Sequence, residues 1–285
     1  MCFGVKDAIA LALTTARHEP LTVLGDLVHN DTVLVQLRAA GIQFEQQAAA
    51  VTTPTAMITA HGTSARALAA ARDRGLKVVE ATCPLVHVAH RHLQKLVAEG
   101  FHPVIIGRRD HVEVRGLTGD LDAFDVILQP DDITGLPARK RFGVIAQTTQ
   151  PIDKVRRLVQ SLRIHFPRTE VRFVDTVCQP TKQRQSAAVE LAQNCDVVVV
   201  IGGAHSNNTH ELVRTCSRFC ARVHHVQTAD DLREAWFFEN DTVGLTAGTS
   251  TPDEVINGIE KQLNSFSLNS TQTTARERKL SCNHG

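Results

Sequence analysis

The chain has 285 residues, 42% of them hydrophobic and 21% charged, with 31 Lys+Arg set against 30 Asp+Glu. So even a balance argues against a nucleic-acid coat, which needs surplus cations, and the absence of tyrosine argues against a base-stacking surface. No stretch approaches the roughly 18 consecutive apolar residues of a membrane span, and the length predicts two or three lobes rather than one simple core.

In chain order, residues 1–20 place Val5, Ala8, Ile9, Ala12, Leu13 and Ala16 at helical spacing among Lys6, Asp7 and Arg17. That is an amphipathic helix, not a signal peptide, and a reducing, cytoplasmic setting is the default. Strands with polar ends are predicted at 21–30 (LTVLGDLVHN) and 56–64 (AMITAHGTS), followed by the helix SARALAAARDRG. A β-branched strand, KVVEATC, then ends at Cys83 and leads into a helix through Val86, Ala89, Leu93 and Val97.

The same order recurs. PVIIGRRDH (103–111), FGVIAQTTQ (142–150), the helix PIDKVRRLVQSLRIHF and the strand RFVDTVC, ending at Cys178, repeat it once. DVVVVIGGAHSNN (196–208), VGLTAGTSTPD (243–253) and a helix opened by Thr-Pro-Asp repeat it again. The interval from each cysteine to the polar residue past the next strand is 27 for Cys2 to His29, 28 for Cys83 to His111 and 28 for Cys178 to Ser206. Alternation of this kind predicts an α/β fold of three similar lobes with parallel sheets: 1–82, 83–177 and 178–266, with a polar, flexible tail at 267–285. Ligands gather beyond the carboxyl ends of parallel strands, so a pseudo-threefold packing would bring the three cysteines and the polar strand ends to one central cavity. Cys83 and Cys178 each close a strand but Cys2 follows only Met1, so the natural protein is expected to be longer by about one strand, or its first lobe to have lost one.

Seven cysteines are an odd number, too few for a disulfide scaffold of this length. Cys216 and Cys220 share the helical pattern Leu212, Val213, Cys216, Phe219, Cys220 and read as small buried apolar residues; Cys195, at a strand start, reads likewise, and Cys282 lies in the tail. Cys2, Cys83 and Cys178, equivalent by repeat, suit either buried thiols or an iron–sulfur cluster with one iron free of protein ligands. Spacing alone leaves these two readings even.

The words CFGVKDAI, LVHN, AHG, ATCPLV, HVEV, QTT, VDTVC, IGGAHSNNTHEL and TAGTSTPD, in that order over residues 2–263, resemble the motif set of the LytB-type 4-hydroxy-3-methylbut-2-enyl diphosphate reductases. The resemblance implies a trefoil of three α/β lobes around a [4Fe–4S] cluster held by Cys2, Cys83 and Cys178. It implies reductive dehydroxylation of an allylic diphosphate to isopentenyl and dimethylallyl diphosphates, the last step of the non-mevalonate pathway, with reduced ferredoxin or flavodoxin as electron donor. By motif match, His29, His61, His111, Thr148, Ser206, Asn207, Asn208 and Ser250 bind the diphosphate, which calls for several donors in a closed space. Glu113 is the acid that protonates the departing oxygen, with Thr148 assisting. Arg108 and Arg109, beside the motif, receive no role.

Two motifs depart from the family's usual wording: HVEV replaces HPEV, and Ser206-Asn207-Asn208 replaces a Ser-Ser-Asn run. The missing first strand also leaves open a catalytically impaired relative that binds a diphosphate or a protein partner without a stable cluster. A zinc hydrolase built on His29, His61 and His111 is a third reading.

Overall fold

The computed structural model describes residues 1–266, so the predicted tail at 267–285, with Cys282, lies outside the described residues. The α/β expectation holds: three sheets are built from parallel strands, each strand connected to the next by a crossover.

The first run of elements is α1 (Phe3–His18), β1 (Leu21–Leu24), α2 (Asp31–Ala39), β2 (Gln43–Glu45), β3 (Thr55–Ile58), α3 (Ala65–Asp73) and β4 (Lys77–Glu80). The second is α4 (Pro84–Ala98), β5 (His102–Ile106), α5 (Val112–Thr118), β6 (Asp125–Ile127), α6 (Pro130–Thr134), β7 (Arg141–Ala146), α7 (Ile152–His165) and β8 (Glu170–Phe173). Their sheets run β2-β1-β3-β4 and β6-β5-β7-β8, the same order twice. The third run is α8 (Gln179–Asn194), β9 (Val197–Ile201), α9 (Asn207–Cys216), β10 (Arg222–Val226) and β11 (Val243–Ala247), in the order β10-β9-β11, and a helix then occupies 253–266.

Burial explains which strands are central. Val197 to Ile201 are all fully buried, as are Val104 to Ile106 and Phe142, Val144, Ile145 and Ala146. A strand covered on both faces reads as a continuous apolar run, and each such side chain contributes roughly 1.5–3 kcal/mol. The edge strands β2, β6 and β10 are absent from the expectations above. Their sequences QFE, DVI and RVHHV are short or half-polar, because an edge strand keeps one flank in water.

The chain forms two compact units. One, Cys2–Arg184, carries the first two sheets; the other, from Gln185, carries the third. Within the first unit the lobes are stitched together by Asp120, whose carboxylate accepts from the N–H groups of Ala65 (2.7 Å) and Arg66 (2.9 Å) and so caps α3 from the neighbouring lobe. In the second unit, Cys216 and Cys220 are buried among Ala188, Val198 and Leu212, as expected of small apolar residues, and Cys195 packs beside them.

Candidate active site

In the order β2-β1-β3-β4 the chain reverses its winding between β1 and β3, and the crevice at the carboxyl ends of such a pair is where open α/β sheets bind ligands. The predicted residues occupy that position in every lobe. His29 follows β1 and His61 follows β3; His111 follows β5 and Thr148 follows β7; Ser206 follows β9 and Ser250 follows β11.

The Cys2–Arg184 unit brings its share together. The His29 and His61 rings lie 4.3 Å apart, His29 and His111 5.3 Å, and His61 and His111 5.7 Å between centroids. Burial holds His61 well below the usual imidazole range, with repulsion from His29 and His111 adding to it. His111 is lowered to about 3, chiefly by burial and then by His29 and Arg108. Both rings are therefore neutral near pH 7. His111 also caps α5, its Nδ1 accepting from the Glu113 N–H at 3.1 Å, so its proton sits on Nε2. The buried Nδ1 of His61 has no hydrogen-bond partner among the described residues. Arg108 is occupied by Asp110 at 2.6 Å.

Glu113 is 1% exposed. Its Oε1 accepts from the Thr148 N–H at 2.7 Å and its Oε2 from the Thr148 hydroxyl at 2.9 Å. Burial raises this carboxyl to about 7 against the opposing pull of the two bonds, leaving an acid that holds its proton into the neutral range.

Each of the three cysteines stands at a helix start: Cys2 is the N-cap of α1, Cys83 the N-cap of α4, and Cys178 precedes α8. Cys83 N–H donates to the Ala60 carbonyl and Cys178 N–H to the Thr148 carbonyl, both at 3.0 Å, which ties two of the thiols to the histidine and threonine loops. A Cβ on Gly4 would lie 2.6 Å from Cys83 Sγ, so the first turn of α1 seats directly on that sulfur and only glycine fits. Burial raises the Cys83 and Cys178 thiols, and both also feel repulsion from Cys2 and Glu113.

Raised thiols such as Cys83 and Cys178 ionise more readily beside positive charge, which a bound metal centre would supply. Among the described residues, no three His, Cys, Asp or Glu side chains close on one point as a single ion requires. Three neighbouring thiols not gathered on one point fit a polynuclear cluster, whose cysteines ligate different irons. Nor do the three imidazoles close on one point, as the zinc reading would require.

In the second unit, Ser206 caps α9, its hydroxyl accepting from the Thr209 N–H at 3.3 Å. Ser206, Asn207, Asn208 and Ser250 are all buried. Neither polar atom of the Asn208 amide has a hydrogen-bond partner among the described residues, and an unmet buried group costs about 1–3 kcal/mol. Residues not anticipated above include Thr181, whose hydroxyl accepts from Cys178 Sγ at 3.0 Å, and the fully buried Gln147, which accepts from Arg108 N–H at 3.1 Å. Thr181 lies three residues past its cysteine, one helical turn on, and that spacing was the available signal.

Taken together, parallel strands whose ends carry imidazoles and a buried carboxyl, beside cysteines at helix starts, define an α/β protein with the make-up of an enzyme site. The family described as LytB protein matches residues 1–264, and the chain belongs to that family. It is 37% identical over 271 residues to the 4-hydroxy-3-methylbut-2-enyl diphosphate reductase of Trichlorobacter lovleyi, covering 93% of this chain and 96% of that one. With the enzyme of the same name from Geobacter sulfurreducens it shares 36% over 266 residues, 91% of this chain and 94% of the relative. Among solved structures, the E-1-hydroxy-2-methyl-but-2-enyl-4-diphosphate reductase from Plasmodium falciparum aligns with a TM-score of 0.84 at 28% identity, covering 93% of this chain and 84% of that one. A structure of (E)-4-hydroxy-3-methyl-but-2-enyl diphosphate reductase, described as the terminal enzyme of the non-mevalonate pathway, aligns at 0.68 and 32%, covering 93% and 96%.

Proposed function

We propose that this chain reductively removes the allylic hydroxyl of 4-hydroxy-3-methylbut-2-enyl diphosphate, giving isopentenyl and dimethylallyl diphosphates as the last step of the non-mevalonate pathway. The reaction breaks a C–O bond with two electrons and two protons; one proton leaves in water with the oxygen and the other ends on carbon. Cys2, Cys83 and Cys178 would hold a [4Fe–4S] cluster, which supplies electron transfer and a Lewis-acidic iron when bound. The proposed donor is a reduced ferredoxin or flavodoxin, and the proposed compartment is the cytoplasm; no helix among the described residues is long and apolar enough to cross a membrane.

The observation that carries the reading is Glu113. Hydroxide leaves poorly, so a proton must reach the oxygen as the bond breaks. A carboxyl raised to about 7 and clasped by Thr148 is an acid suited to that transfer at neutral pH, and the Thr148 hydroxyl is assigned to assist it. His61 and His111 are assigned to the diphosphate as neutral donors, His29 as a third imidazole beside them, and Ser206, Asn207, Asn208 and Ser250 as hydroxyl and amide donors. Anaerobic reconstitution tests the whole: about four irons and four sulfides per chain are expected, with consumption of the allylic diphosphate under reduction. Protein that takes up no iron, or that holds it without consuming the substrate, overturns the reading.

A further inference from the structure

The loop from Gly202 to Ser206 joins β9 to α9 and delivers Ser206, Asn207 and Asn208 to their positions. Two imidazoles hold it. His225, on β10, donates from Nε2 to the Gly202 carbonyl at 2.8 Å, and His210, in the first turns of α9, donates from Nε2 to the Ala204 carbonyl at 2.5 Å. The Ala204 N–H is taken by Gln227 Oε1 at 2.9 Å, and the Ser206 N–H closes the turn on the Gly203 carbonyl at 3.1 Å. A carbonyl can only accept, so both rings must carry their proton on Nε2. The rings stand edge to face, 5.8 Å between centroids. Neither histidine is among the residues assigned a role above: His210 lies within the IGGAHSNNTHEL word without one, and His225 lies outside every quoted word.

A carbonyl oxygen presents the negative end of the peptide dipole, and beside a diphosphate it repels. Covering the Gly202 and Ala204 oxygens with imidazole N–H groups shields the anion from them, removes the freedom of the loop to rotate a carbonyl toward it, and fixes the place from which the Ser206, Asn207 and Asn208 side chains are presented. We propose that His210 and His225 are positioning residues for the diphosphate end of the substrate, acting through the Gly202–Ser206 loop rather than by touching the ligand. The proposal rests on the reading of Ser206, Asn207 and Asn208 as diphosphate donors.

Inorganic diphosphate is the probe, measured on the reconstituted holoenzyme by calorimetry and as a competitive inhibitor. H210L and H225L each weaken its binding about tenfold, the loss of one positioned hydrogen bond. KM for the substrate rises to match, and kcat at saturation changes by less than about twofold, the pattern of lost uniform binding. H210Q and H225Q restore binding, because the glutamine amide nitrogen reaches where Nε2 stood. H210N and H225N, polar but too short, behave like leucine and serve in its place should a leucine variant not fold. Wild type that does not bind inorganic diphosphate removes the underlying reading. Wild-type binding with unchanged leucine and asparagine variants overturns the positioning role alone, as does a loss shared by kcat and KM that glutamine does not rescue.

Discussion

In the first lobe the two central strands end at His29 and His61; in the second, the equivalent strands end at His111 and Thr148, with Glu113 two residues on. Topology, register and position are shared, while the chemistry differs. The first lobe offers imidazole donors, and the second adds a carboxyl held by a threonine. Burial then acts on the two groups in opposite directions. It lowers His61 and His111, which are neutral near pH 7, and raises Glu113, which there still keeps part of its proton. On the proposed function, an anionic substrate would meet dipoles and a transferable proton rather than fixed charge. The repeated fold supplies the address, and on that reading the residue placed there would decide whether a lobe binds or reacts.

The largest expected effect lies where both lobes contribute. Replacing Cys83, which sits between them in sequence and touches α1, with alanine should abolish iron retention and lower turnover by more than about a thousandfold, read by iron analysis and anaerobic kinetics. Next comes the residue that sets the second lobe apart: E113Q should slow kcat by roughly 10²–10⁴-fold while leaving iron content and inorganic diphosphate binding intact. Unchanged turnover would make the two lobes chemically alike. In the first lobe, H61L should weaken diphosphate binding by about tenfold with a smaller change in kcat, the loss of one donor.

The pH dependence sharpens the contrast further. The proposed acid must be protonated, so kcat/KM should fall as pH rises through about 7, and E113Q should lose that limb. For stability, a carboxyl raised from 4.5 to about 7 favours the folded state at low pH, and this is lost as pH rises. E113Q should therefore unfold with a free energy greater than wild type by on the order of 3 kcal/mol above pH 7, and by little below pH 5. His111 acts in the opposite sense: between 6.5 and about 3 the unfolded chain takes up a proton that the folded one refuses, so its contribution falls as pH drops. Denaturant titrations across pH check both.

Much of this was legible because the repeat marks equivalent positions. Cys2, Cys83 and Cys178 and the strand-end residues share an interval that needs no structure to see. The edge strands escaped because RVHHV and QFE lack the apolar run of a covered strand. The clasp of Glu113 by Thr148 joins positions 35 apart, and although both belong to motifs, only the fold shows that the pair is sealed from water and the acid thereby raised. Thr181 and His225 lie outside the quoted words, and His210 lies within one without a role there; the meaning of all three comes from contacts.

The recurrence of a long helix followed by a strand has a consequence for how the molecule assembles. From Cys83 the chain travels out along the 15 residues of α4, about 22 Å, and returns along β5 to His111. Cys2, α1, β1 and His29 trace the same path. Both of these lobes thus join thiol to strand end through contacts close in sequence, and short-range contacts form fastest. Each of these two segments can take shape by itself, so the late event in folding of the Cys2–Arg184 unit is the meeting of finished parts rather than the making of any one.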